Sequence, residues 1–220
     1  MRGKRIKLSG IKSNLILKNS VMILVAIILC ITTASIFGRN ALISNSSELL
    51  TNFAKQVGED ISRVIDLEIS KVEIVAESPI LRDDTKTQEE NLAYLAEIVK
   101  NQGYKKSALI DLNGQCVTTL GEITDVSDKV YFQKNLDGKS YFTQPNVSKA
   151  DGGLQISITT PIRDNAGQIT GIVFFSKEAE KFCEITNDIK FGETGTAYVV
   201  DSTGTNIMNN DIEKVKNKVN

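Results

Sequence analysis

Between Lys18 and Arg39 the chain runs twenty residues without a charge, and the stretch beginning at Ser20, SVMILVAIILCITTASIFG, is almost wholly apolar. A helix needs about twenty such residues to cross about 30 Å of hydrocarbon, so residues 19–38 read as a membrane span. A cleaved signal peptide is the competing reading. Its apolar part is shorter, about 7–15 residues, and ends in small residues. The pattern beyond Arg39 favours an uncleaved anchor. There Leu42, Leu49, Leu50, Phe53, Val57, Ile61, Val64, Ile65, Ile69, Val72, Val75 and Ala76 recur mostly at gaps of three or four. Glu59, Asp60, Arg63, Asp66, Glu68, Lys71 and Glu73 fill the opposite side. This predicts an amphipathic helix over 41–78, ended by Pro79. A helix of that length leaving a membrane is a stalk, with one side for its own domain and one for a second copy of the chain.

A second helix is expected over Thr87–Gln102, stopped by Gly103. After it the period changes. Ser107–Asp111, Gln115–Thr119, Gly153–Ile162 and Gln168–Phe175 are short, rich in β-branched residues and bounded by turn chemistry, which predicts strands. Three turns share an Asp-x-x-Gly pattern, at Asp111 to Gly114, Asp164 to Gly167 and Asp201 to Gly204. Asx and Gly at these offsets favour hairpins. Short helices are expected at Ser127–Asn135 and Glu178–Asn187. The fold class is therefore α+β: a membrane helix, a long stalk helix, then an antiparallel sheet covered by helices. SALIDLNGQCV at 107–117 and TAYVVDSTGTNIM at 196–208 repeat strand, turn and strand, which suggests a second, incomplete module starting near residue 189.

Charge gives the anchor a direction. Residues 1–18 hold six Lys or Arg and no acid, whereas the rest of the chain holds 20 basic and 27 acidic side chains. The positive-inside bias puts this basic tail in the cytoplasm and everything after about Arg39 outside. Its place beside a membrane span argues against a nucleic-acid-binding arm. The chain has no His, which removes the commonest general base and metal ligand. No P-loop, metal spacing or activated nucleophile is evident, so neither an enzyme nor a cofactor is expected. Cys116 and Cys183 are far apart in sequence; the simpler reading is two separate buried thiols, with a disulfide as the alternative.

Several segments resemble one family in order as well as content: the basic tail and anchor, VEIVAESPILRDD at the end of the long helix, ALIDLNG, DVSDKVYFQKNLDGKSYFTQPNVS, ITTPIRDNAGQITGIVF and FGETGTAYVVDSTGTNIM. Together they are similar to the N-terminal sensing region of a methyl-accepting chemotaxis protein with a double Cache domain, apparently truncated. The resemblance implies a PAS-like antiparallel sheet packed on the long helix. It implies a membrane-distal Cache module over 39–188, the start of a membrane-proximal one over 189–220, and a homodimer through the long helix. It implies a membrane chemoreceptor that binds a small extracytoplasmic molecule in the distal module. The same input region occurs on histidine kinases and diguanylate cyclases, and a ligand-independent structural ectodomain is a further alternative.

The resemblance places the pocket between the sheet and residues 127–150. Lys129, Tyr131, Phe132, Tyr141, Thr143 and Ser176 are its candidate ligand-binding residues. Lys129 and Tyr131 converge only if their helix lies edge-on over a cavity. Tyr141 and Thr143 alternate to one side of a strand, with Phe142 on the other side and assigned to the core. Amino-acid-binding members of the family carry Arg-x-Trp-Tyr where this chain has Lys129, Val130, Tyr131 and Phe132. A further Tyr and an Asp stand where this chain has Thr124 and Ser176. Lys lacks the bidentate fork of Arg, and the anion that holds an ammonium is gone. A small carboxylate or polar metabolite is therefore favoured over a free amino acid. Asp111 is expected to cap its own hairpin.

Overall fold

The computed structural model describes residues 9–148, 152–186, 189–191 and 195–218. Two compact units divide it, at 1–61 and 62–220. Helix α1 (Ser9–Ala76) runs through 68 residues without interruption. The expected span and stalk are thus segments of one helix.

In the first unit, the large apolar side chains from Leu15 to Phe37 are all exposed. Such a surface suits hydrocarbon, and α1 is the one described helix long and apolar enough to cross a membrane. The two threonine hydroxyls of this apolar stretch are satisfied internally. Thr32 Oγ1 donates to the carbonyls of Ile28 and Leu29, and Thr33 Oγ1 to those of Leu29 and Cys30, at 2.8–3.0 Å. A helix in lipid requires such internal pairing.

In the second unit, the last turns of α1 bury Val72, Val75 and Ala76. Pro79 cannot continue that helix and instead opens α2 (Pro79–Arg82), whose N-cap Ser78 accepts from the Leu81 N–H at 3.4 Å. Helix α3 (Gln88–Gln102) begins with a reciprocal capping box between Thr87 and Glu90 and ends at Gly103.

The strands follow as β1 (Lys106–Ile110), β2 (Gln115–Thr118) and β3 (Ile123–Asp125). Helix α4 (Val130–Leu136) then leads to β4 (Tyr141–Phe142), β5 (Asn146–Val147), β6 (Leu154–Arg163) and β7 (Ile169–Glu178). These seven form an antiparallel sheet in the order β3-β2-β1-β7-β6-β4, with β5 also on β6. The strand expected to end at Phe175 continues to Glu178, and β3 and β5 are additions to the expected set.

Each face of the sheet has its own core. Ile158, Ile162, Val173 and Phe175 pack with Val72, Val75, Leu81 and Leu95 beneath α1 and α3. Ala108, Ile110, Cys116 and Ile172 pack with Val126 and Phe132 beneath α4. Phe142 joins the first cluster, as the alternation of β4 requires. Cys116 and Cys183 are separate buried thiols.

Helix α5 (Glu180–Cys183) and a 3-10 turn (Glu184–Thr186) lead to the paired strands β8 (Lys190–Phe191) and β9 (Gly195–Thr196). A hairpin of β10 (Tyr198–Val200) and β11 (Asn206–Asn209) and helix α6 (Ile212–Lys216) follow. Met208 and Val215 are buried there.

The three Asp-x-x-Gly turns are built alike. The Oδ1 atoms of Asp111, Asp164 and Asp201 each accept the N–H groups two and four residues on, at 2.8–3.1 Å. Each turn also closes an N–H bond from its Gly to the Asp carbonyl. Asp111 therefore caps its own hairpin, as its sequence context predicts.

Candidate ligand-binding site

The residues facing α4 are fixed by register, because directly paired residues on neighbouring strands point the same way. Lys106 pairs with Ser176, which pairs with Ser157. One step along the strands, Ala108, Phe174, Thr159 and Tyr141 form the next row. Cys116 and Thr124 extend this face across β2 and β3. Hydroxyls and aromatics thus share this face with the apolar cluster of Ala108, Ile110, Cys116 and Ile172.

Helix α4 lies over this face. Tyr131 is half-buried, with its ring centroid 6.1 Å from that of Phe174. Burial, with a smaller contribution from Cys116 and Asp128, pushes its phenol well above the ordinary range. Burial likewise raises the Cys116 thiol, against the hydrogen bond of Thr124 and the charge of Lys106. Phe132 is 3 % exposed and is core.

Lys129 sits elsewhere. It is the residue before the first turn of α4, exposed, and its Nζ is 2.7 Å from Asp128 Oδ2. The structure does not bring it to Tyr131. The spacing argument placed Lys129 on a helix; its extended backbone (φ −83°, ψ 141°) puts it outside one. The cation on the strand face is Lys106, whose Nζ is 3.2 Å from Glu122 Oε2.

Tyr141 shares a row with Thr159, as alternation predicts. Thr143 is committed to the backbone. Its Oγ1 accepts the Ser157 N–H at 2.8 Å, and its own N–H donates to the Ser157 carbonyl at 2.8 Å. It therefore extends the β4–β6 pairing by one more step. Ser176 is fully buried and its Oγ has no hydrogen-bond partner. Leaving a hydroxyl dry and unpaired costs roughly 1–3 kcal/mol, so the group awaits a partner.

Asn135 is the residue that sequence reasoning missed. It is fully buried; its Nδ2 donates to the Tyr131 carbonyl at 2.6 Å and to Thr159 Oγ1 at 2.7 Å. Its Oδ1 is buried without a partner. A signal existed: Asn135 lies three residues after Phe132, on the stripe where an apolar residue is expected. This face thus holds two unmet polar atoms, one hydroxyl and one amide oxygen. Both suit hydrogen-bond donors on a small polar molecule, and the hydroxyl also suits an acceptor.

A Cache domain matches residues 38–220. No curated protein sequence matches the chain. Among solved structures, it is similar to the ligand-binding domain of the Pseudomonas aeruginosa PAO1 amino acid chemoreceptor PctC in complex with GABA. That match has 19% identity and TM-score 0.65, covering 78% of this chain and 79% of that one. The ligand-binding domain of the Pseudomonas fluorescens chemoreceptor CtaA with L-isoleucine gives 18% identity and TM-score 0.66, over 82% and 75%. That of Campylobacter jejuni Tlp3 with 4-methylisoleucine gives 13% identity and TM-score 0.55, over 75% and 68%. At such identities the likeness is one of fold.

Proposed function

The chain belongs to the Cache domain family, and from that premise we propose that it is the sensing region of a membrane chemoreceptor that binds a small extracytoplasmic molecule between α4 and the sheet. The basic tail and apolar run support an anchored receptor with a cytoplasmic N-terminus. The observation that carries the binding site is the buried, unpartnered Ser176 hydroxyl on the same face as Tyr131 and Tyr141.

The chemoreceptor domains similar in fold were crystallised with amino acids. For this chain the ligand class is a polar metabolite, with carboxylates second. Lys106, the cation on this strand face, is paired with Glu122, and Lys129 outside it with Asp128. A carboxylate must draw Lys106 from Glu122, whereas a neutral polar ligand meets Ser176 and Asn135 at once. Exposed ion pairs are worth at most about 1 kcal/mol, so that exchange is within reach of a charged ligand.

The test is thermal unfolding of the chain in detergent micelles against a library of polar metabolites, carboxylates and amines. At least one compound should raise the midpoint, and Ser176→Ala and Tyr131→Phe should each diminish the rise. A well-folded sample that responds to no compound would refute the sensor reading.

A further inference from the structure

A cavity lies on the opposite side of the sheet from α4, beneath the end of α1. It encloses about 260 Å³ and is lined by Glu73 and Ala76 of α1, Glu77 just beyond it, Arg82 of α2, Ser140 and Thr160, with Arg163 and Gly167 at the β6–β7 turn. Two guanidinium groups are fastened to that turn. Arg82 Nη2 donates to the Asp164 carbonyl at 3.1 Å, and Arg163 Nη1 to the Gly167 carbonyl at 3.0 Å. Arg163 Nη2 reaches the Gly138 carbonyl at 3.4 Å. Gly138, held at φ 80°, sits against that nitrogen, with a built Cβ 2.6 Å from it.

Neither arginine forms an ion pair among the described residues. Arg82 Nε is buried with no partner at all. Two cations tethered to one turn by neutral carbonyls, with an unmet N–H, call for an oxyanion. The same cavity also carries negative charge. Glu73 uses Oε1 to accept from Ser140 Oγ at 2.6 Å, and Glu77 is exposed. Asp83 and Asp164, nearby, spend their carboxylates on Thr85 and on the turn itself. A dianion would be repelled by the two glutamates, whereas a molecule bearing both signs satisfies both walls.

We propose that this cavity is a second binding site, for a compact zwitterion whose oxyanion meets Arg82 and Arg163 and whose ammonium meets Glu73 and Glu77. The site is separate from the α4 face and does not depend on that face binding anything.

Isothermal titration of the 220-residue chain in detergent micelles, with β-alanine, acetate and methylammonium as probes, tests it. β-Alanine should bind, with acetate and methylammonium each at least ten-fold weaker. Arg82→Gln, Arg163→Lys and Glu77→Gln should each weaken β-alanine at least ten-fold. The exposed Glu77 variant decides the matter if either arginine variant fails to fold. Acetate binding as tightly as β-alanine, or no β-alanine binding, overturns the proposal. So does β-alanine binding that survives Arg82→Gln and Glu77→Gln but is lost in Ser176→Ala, which would place the probe on the other face.

Discussion

Val173 and Phe175 of β7 point toward α1 and α3, while Ile172, Phe174 and Ser176 point toward α4. On the helix-covered side the ionic groups next to β7 satisfy one another, while Arg82 Nε and Asn91 Oδ1 farther off stay unmet. Glu68, 7 % exposed, takes Lys71 Nζ at 2.7 Å and Lys177 Nζ at 3.1 Å, and Lys177 also lies 5.7 Å from the centre of the Tyr104 ring. Tyr104 packs in turn on Phe175 at 4.6 Å between centroids. The α4 side buries Ser176 and Asn135 with one polar atom each unmet. Along β7 itself, then, the residues on one side are tightly packed and paired, and Ser176 on the other is buried with its hydroxyl unmet, as expected where a ligand supplies the missing partner.

The two faces should answer mutation differently. Phe175→Ala removes a fully buried ring from the α1 side and should cost about 3–5 kcal/mol in denaturant unfolding. A loss under 1 kcal/mol would show that this face is not the stabilising one. Glu68→Gln should cost about 1–3 kcal/mol, because Lys177 and Lys71 are left without their anion on a partly buried surface. Burial pushes the Glu68 carboxyl up, but its bonds and charges with Lys71 and Lys177 outweigh that and hold it below the usual value of 4.5. Its contribution is therefore full above that value and lost as pH falls through the lowered one. The variant should lack this part of the acid-side decline in stability.

On the α4 face the sign changes. Ser176→Ala removes an unpaired hydroxyl and should leave the unliganded chain unchanged or up to about 1 kcal/mol more stable. The ligand-induced rise in midpoint should shrink in the same variant. Destabilisation beyond 1 kcal/mol would mean that Ser176 is structural. Lys129→Ala is the smallest case. An exposed ion pair with its sequence neighbour should count for less than about 0.5 kcal/mol, and ligand response should persist. Loss of response there would restore Lys129 to the site.

The sequence made the long elements readable because burial on one side leaves a periodic trace. The α1 stripe from Ile61 to Ala76, the Gly103 stop of α3 and the alternation at Tyr141 and Phe142 all survive in the structure. Short elements leave no such trace. Strand β3 is exposed throughout and β5 has two residues, so neither alternates. Part of the proposed site's placement was legible. Ser176 and Tyr131 share the α4 side of the sheet, as expected. Lys129 misled because helical spacing was applied one residue before the helix begins. Asn135 escaped because a buried amide on an apolar stripe is explained by its partners on other elements, which no local pattern displays. The arginine cavity was invisible for the same reason: Arg82 and Arg163 lie far apart in the chain and meet only at one turn.

That turn also keeps a kind of reading frame. In β7 even-numbered positions face α4 and odd-numbered ones face α1, so Ser176 and Lys177 differ in role by one count. The frame starts at Asp164 to Gly167, where Asp164 Oδ1 holds the N–H groups of Ala166 and Gln168 at 2.8 Å and Gly167 takes φ 84°. One residue inserted between Gly167 and Ser176 would put Phe175 opposite Lys106 and Ser157 in place of the Ser176 hydroxyl, turn Lys177 to the α4 side and leave Glu68 with Lys71 alone. Two inserted residues would restore the phase. The identity of the binding face is thus written, modulo two, in a turn that touches neither α4 nor any residue of that face.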